Sequence, residues 1–220
     1  MLRRAVLFLL AVAAAIGAWV AVTSLTPGAS IATWAPCPRN WGWTDSYHPR
    51  QSPLQAMKVK VGNAHVKVCY GSPALRGREM IGGNSIPFGK IWRTGANEPT
   101  TIHTDHVVRL GDIVLGAGSY SLYTVPGERD WTVILNRSTR QWGLESEYTE
   151  AVAAQEVGRF ETRARKLDSA VENLTFHSEP SASAAAEIVL EWQNTQLRLP
   201  LDVGFADADP DDAPSDPNPE

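Results

Sequence analysis

The sequence predicts an all-β protein, an antiparallel β-sandwich or partly closed barrel, preceded by one N-terminal transmembrane helix. Three observations predict it. Apolar and polar residues alternate with period two in about ten short runs between residues 57 and 201. Gly, Pro and Asp turn signals separate those runs: Gly111-Asp112, Gly116-Ala117-Gly118, Pro126-Gly127 and Arg129-Asp130. Outside the N-terminal run no long stretch repeats at 3.6 residues, and no Rossmann, P-loop or βαβ rhythm appears.

The first element is the apolar run. Met1-Leu2-Arg3-Arg4 precedes residues 5–25, which carry no charge. As a helix that run spans about 30 Å, the thickness of a bilayer core. A secretory h-region is shorter, about 7–15 residues, and the small-residue site Ala13-Ala14-Ala15 falls inside the run. Residues 1–26 therefore read as a signal anchor, with a cleaved secretory signal as the alternative. Arg3 and Arg4 stay cytoplasmic by the positive-inside rule, so the chain after about Thr26 is exported. The expected location is a bacterial cytoplasmic membrane, crossed once, with the C-terminal domain extracytoplasmic and the membrane as a partner.

Residues 27–51 read as a Trp-rich linker. Trp34, Trp41, Trp43 and Tyr47 lie there among Pro, Gly and Asn. Tryptophan is costly to expose, so part of the segment is expected to pack on the domain. An aromatic platform for a sugar or a partner is the alternative. Cys37 and Cys69 are the only cysteines. In an oxidising compartment they can form one disulfide, tying this segment to a core strand. Otherwise Cys69 is a small buried hydrophobe and Cys37 is free.

The strands follow. Val59 and Val61 alternate with Lys58 and Lys60, and Val66 and Val68 with His65 and Lys67. Gly62-Asn63 between them suits a type II′ turn. The implied register pairs Val61 with Ala64, Val59 with Val66, and Met57 with Val68, which places all six on one face. The other face, Lys58, Lys60, His65 and Lys67, should be wet or covered by something polar. Further strands are predicted at 100–104, 106–110, 113–115, 120–125, 131–136, 157–164, 174–178, 187–192 and 196–201, with one short helix within 149–155. The domain spans 52–201. From 202 to 220 there are seven acids and no Lys or Arg, and this tail is expected to be disordered. Net charge is −4; without the seven tail acids it is +3, of which Arg3 and Arg4 are part, so the folded portion is near neutral, which points away from nucleic acid.

The densest polar chemistry lies in Pro87-Phe88-Gly89-Lys90-Ile91-Trp92-Arg93-Thr94-Gly95-Ala96-Asn97-Glu98. Arg93 offers a planar fork of donors for a carboxylate or phosphate. Asn97 can fix orientation, and Glu98 can act as acid, base or acceptor. Lys90 adds charge nearby. The structural alternative has Arg93 and Glu98 bonding each other to hold a long loop. Trp142, in Gln141-Trp142-Gly143, is the best-placed aromatic platform. His103 and His106 stand three apart with Asp105 between. On one strand they would point to opposite faces and could not easily chelate. A turn at Asp105 would change that, and no metal is expected there. No cofactor is expected, and no Gly-x-Ser-x-Gly nucleophile motif occurs.

From Arg50 to Leu201 the chain resembles a bacterial family, domain of unknown function 2911. The central block carries most of the resemblance. Arg50-Gln51-Ser52-Pro53, Val68-Cys69-Tyr70-Gly71-Ser72-Pro73 and Arg76-Gly77-Arg78 precede it. The run from Ala117 to Gly127, Trp131-Thr132-Val133-Ile134-Leu135-Asn136, Gln141-Trp142-Gly143 and Glu191-Trp192 follow. The resemblance implies an exported, mostly β domain, often membrane-attached, with no established activity. The leading expectation is a non-catalytic binding or structural module of the envelope. Its ligand would be polar, a glycan or an anionic group, held at Arg93, Asn97 and Glu98. The alternative is an envelope hydrolase with Glu98 as general acid/base and Arg93 orienting the substrate.

Overall fold

The computed structural model describes residues 29–37 and 51–203. Ten antiparallel strands form two sheets. They are β1 (Leu54–Val61), β2 (Ala64–Gly71), β3 (Thr100–Thr104), β4 (Val108–Leu110), β5 (Ile113–Leu115), β6 (Gly118–Val125), β7 (Asp130–Asn136), β8 (Glu156–Arg163), β9 (Arg165–Glu179) and β10 (Ala186–Val203). A short helix α1 (Ala29–Trp34) precedes them, and α2 (Glu150–Ala153) lies between β7 and β8. One sheet runs β1-β2-β3-β6-β7-β8 and the other β5-β4-β10-β9. The two pack as a sandwich and do not close into a barrel. Among the described residues no helix is long and apolar enough to cross a membrane. The predicted transmembrane helix lies outside them, as do Trp41, Trp43, Tyr47 and the tail beyond 203.

The β1–β2 hairpin has the predicted register: Val61 faces Ala64, Val59 faces Val66, and Met57 faces Val68. Gly62 takes φ +56°, the positive value a II′ turn asks of its first central residue. Two strands are longer than the sequence suggests. Residues 187–192 and 196–201 are parts of one strand, β10. Its register shifts between Glu191 and Thr195, and Gln193 sits at φ +54°. This bulge moves the buried positions from Ile188, Leu190 and Trp192 to Leu197, Leu199 and Leu201. A change of parity breaks the period-two signal and reads as a gap. β9 runs from Arg165, well before the predicted start at Leu174. Its first half pairs Val171 and Lys166 with β10 but is mostly exposed, so it carries no hydrophobic alternation.

The sandwich core lies between the sheets. Val68, Ile102, Leu122, Val133 and Leu135 from the larger sheet meet Leu174, Phe176, Ile188, Leu190 and Trp192 from the smaller. The outer face of the larger sheet is also buried, and with polar groups. Lys67, Thr101, His103, Ser121 and Asn136 are all closed off there. α1 covers one part. Lys67 Nζ donates to Ala35 O at 2.8 Å, and Cys37 and Cys69 form a disulfide. The 137–154 segment covers the rest. Ser121 Oγ donates to Ser138 O at 2.7 Å, and Asn136 Nδ2 to Val152 O at 2.6 Å.

Candidate functional site

The central block lies across the end of the sandwich, anchored by a short pairing of Trp92 with Thr124. Their backbones exchange hydrogen bonds of 2.7 and 2.9 Å. The Trp92 ring stacks on Trp192, with centroids 5.9 Å apart, and meets Trp131 edge-on at 6.3 Å. Beyond Trp92 the chain turns twice through left-handed backbone, at Thr94 (φ 56°) and Asn97 (φ 67°). A β-branched residue in that region is strained. Hydrogen bonds hold it. Thr94 Oγ1 meets Thr124 Oγ1 at 3.1 Å, and Thr100 Oγ1 donates to Thr94 O at 2.8 Å. Gly71 lies so close to Ala96 O that a Cβ there would stand 2.1 Å from it.

These turns separate the nominated residues. Arg93 lines a cleft of about 380 Å³ together with Asn84, Ser85 and Ile91 from the preceding stretch of chain and Leu144, Glu145 and Ser146 from the loop after β7. Gly143 packs against the arginine; a Cβ there would stand 2.4 Å from Arg93 Cδ and 2.6 Å from Asn97 O. Glu98 is buried and lines a different cavity, about 20 Å³, with Tyr70, Thr101 and Thr139. Asn97 joins loops: its Nδ2 donates to Ser52 O at 3.3 Å, and its carbonyl accepts from Gly143 N at 3.2 Å. Lys90 is exposed and Trp142 half-buried, and neither lines the Arg93 cleft.

Arg93 Nε is buried with no hydrogen-bond partner among the described residues. Burial pushes the guanidinium down from its ordinary value, while Tyr123 and Glu145 act in the opposite direction. An arginine stays charged regardless. Behind it, Tyr123 OH accepts from Gln141 Nε2 at 2.7 Å, and Ser138 Oγ donates to Gln141 Oε1 at 2.8 Å. This network fixes the loop that carries Gly143 and Glu145. The chain leading into Asn84 and Ser85 is tied to the β10 bulge, where Gln193 Oε1 accepts from Met80 N at 2.9 Å and Ile81 N at 3.1 Å.

Gly143, Glu145, Ser146, Asn84 and Ser85 were not legible as site residues. Only Gly143 left a signal, as the glycine beside Trp142. His103 and His106 do not come together. His103 sits between Thr101 Oγ1 at 3.0 Å and Ser119 Oγ at 2.7 Å, whereas His106 bonds Asp105 at 2.8 Å. Burial, then the nearby Lys67 charge, lowers His103 to about 4. Among the described residues no group of three or more His, Cys, Asp or Glu could hold a metal ion.

Fold and site together define an all-β sandwich domain with an arginine-walled cleft at one end. The chain belongs to the family described as protein of unknown function (DUF2911), whose model matches residues 52–201. No curated protein and no solved structure matches it.

Proposed function

We propose that this chain is a membrane-anchored, extracytoplasmic β-domain acting as a non-catalytic binding module of the cell envelope. It takes a polar ligand by an anionic group at Arg93. The observation that carries this reading is the Arg93 side chain, which lines a cleft of about 380 Å³ with its buried Nε unpartnered among the described residues. An arginine kept for the fold is expected to have its buried N–H satisfied. The volume suits a small ligand, and the planar fork suits a carboxylate or phosphate. Glu145, in the lining of the same cleft, adds an acceptor. The favoured class is therefore an acidic or phosphorylated sugar, whose hydroxyls can donate to that carboxylate. The Cys37–Cys69 disulfide supports export, because such bridges persist in oxidising compartments.

The hydrolase alternative needs open space and a second carboxylate at Glu98. The cavity there has room for about one water, and among the described residues its lining includes no other Asp or Glu. That leaves the binding reading ahead.

Thermal melting of the detergent-solubilised full chain tests it, against uronic acids, sugar phosphates, inorganic phosphate and neutral sugars. At a hundredfold excess over Kd a ligand stabilises by about 2.7 kcal/mol, a rise of roughly 5–10 °C for a domain this size. One acidic class should produce that rise with wild type and none with Arg93→Ala. Equal shifts in both proteins would place the ligand elsewhere.

A further inference from the structure

A second cavity, about 470 Å³, opens on the outer face of the β1–β2 hairpin beside α1. Trp34, Lys58, Lys60, His65 and Asp105 line it. Trp34 is 69% exposed, and Lys58, Lys60 and His65 are exposed as well. Asp105, the one acid among the described lining residues, is already engaged: it accepts from His65 N at 2.7 Å and pairs with the Nδ1 atoms of His65 and His106 at 2.8 Å each. Two lysines are thus left to face an incoming anion, beside an open indole ring. α1 is held against the sheet by the Lys67–Ala35 bond and the Cys37–Cys69 disulfide, so the wall it provides is fixed.

Position identifies the occupant. The apolar run ends at Leu25, four residues before α1 begins at Ala29. Four residues reach at most about 14 Å, and the six of α1 add about 9 Å. Trp34 therefore lies within roughly 25 Å of the end of that run. Tryptophan favours the membrane–water interface, and juxtamembrane lysines are drawn to anionic lipid. We infer that this cavity seats the phosphate headgroup of an anionic membrane phospholipid, with Lys58 and Lys60 on the phosphate and Trp34 in the interface. The bound headgroup would hold the domain at one orientation to the bilayer.

The headgroup site stands on the anchored reading of residues 5–25, and the test separates the two. The full chain is reconstituted into vesicles of phosphatidylcholine alone, or with one third phosphatidylglycerol. Flotation reports anchoring, and amide exchange across 57–66 reports the site. The chain should float with both. Exchange should be about fivefold slower with phosphatidylglycerol, as a site filled to several times its Kd gives, and Lys58→Glu with Lys60→Glu should abolish the difference. Flotation with both but equal exchange would overturn the headgroup site and leave the anchor standing. Slowing reproduced on phosphatidylcholine vesicles by glycerol 1-phosphate would overturn the lipid as occupant. Without flotation on phosphatidylcholine the anchor falls. Flotation with phosphatidylglycerol that the double variant loses would then support the site, and no flotation with either would overturn it.

Discussion

The inner face of the six-stranded sheet is closed with hydrocarbon, and its outer face with hydrogen bonds. Val68, Leu122, Val133 and Leu135 meet the second sheet on one side. Lys67, His103, Ser121 and Asn136 lie under α1 and the 137–154 segment on the other. The same strands supply both faces, yet the two respond to different conditions. A hydrocarbon face depends on packing and is indifferent to pH. A buried polar face depends on every partner being in place and on each titratable group keeping its charge state. The inner face therefore sets the stability of the fold, and the outer face sets the conditions under which its cover stays down.

The largest effect is expected in the hydrocarbon core. Trp192 is fully buried and stacked on Trp92. Trp192→Ala should cost about 3–5 kcal/mol, as truncation of a core aromatic does, with little dependence on pH. Urea melts at two pH values check both points.

The disulfide comes next. It spans 32 residues and holds the cover of the outer face. The chain-entropy relation for that loop gives about 3–4 kcal/mol. Cys37→Ser with Cys69→Ser should lose that much, and amide exchange should rise in β2 and β3 while the inner strands stay protected. Uniform loss of protection would mean the two faces are not separable.

His103 gives a slightly smaller effect with a defined pH window. Its ordinary value is 6.5 and in the fold it is about 4. The unfolded chain binds the proton first, so stability is full above about pH 6.5. It falls as pH drops from 6.5 towards 4, by about 3 kcal/mol in all. Asp105, held below its ordinary 3.8, acts only at lower pH. Burial raises it, and hydrogen bonds from His106 and His65 outweigh that. His103→Gln should flatten the profile between pH 6.5 and 4, read by denaturant melts across that range.

The sequence was most legible where signals are local. The hairpin register followed from Gly62-Asn63 and the alternation of valines with lysines, and Arg93 stood out as a cation inside a glycine-punctuated loop. What was hidden is non-local. Lys67 alternates onto a face that reads as wet or covered by something polar, and the cover comes from a segment some thirty residues away, held by the disulfide, which the alternation alone does not reveal. Arg93 and Glu98 are close in sequence, but the left-handed turns at Thr94 and Asn97 send them to different cavities. The loop part of the cleft lining, Leu144 to Ser146, has no pattern of its own and follows a turn held by the Ser138–Gln141–Tyr123 bonds. The long β10 was masked because its bulge reverses the buried parity.

The measurement that bears most directly on the central claim is the melting temperature of the full chain with Arg93→Ala. If the arginine serves a ligand, the variant should melt within about 2 °C of wild type or above it, because the group makes no contribution the fold needs. Loss of a buried structural charge pair would instead cost about 3–5 kcal/mol, a fall on the order of 10 °C. That fall would make Arg93 a part of the fold and contradict the binding site.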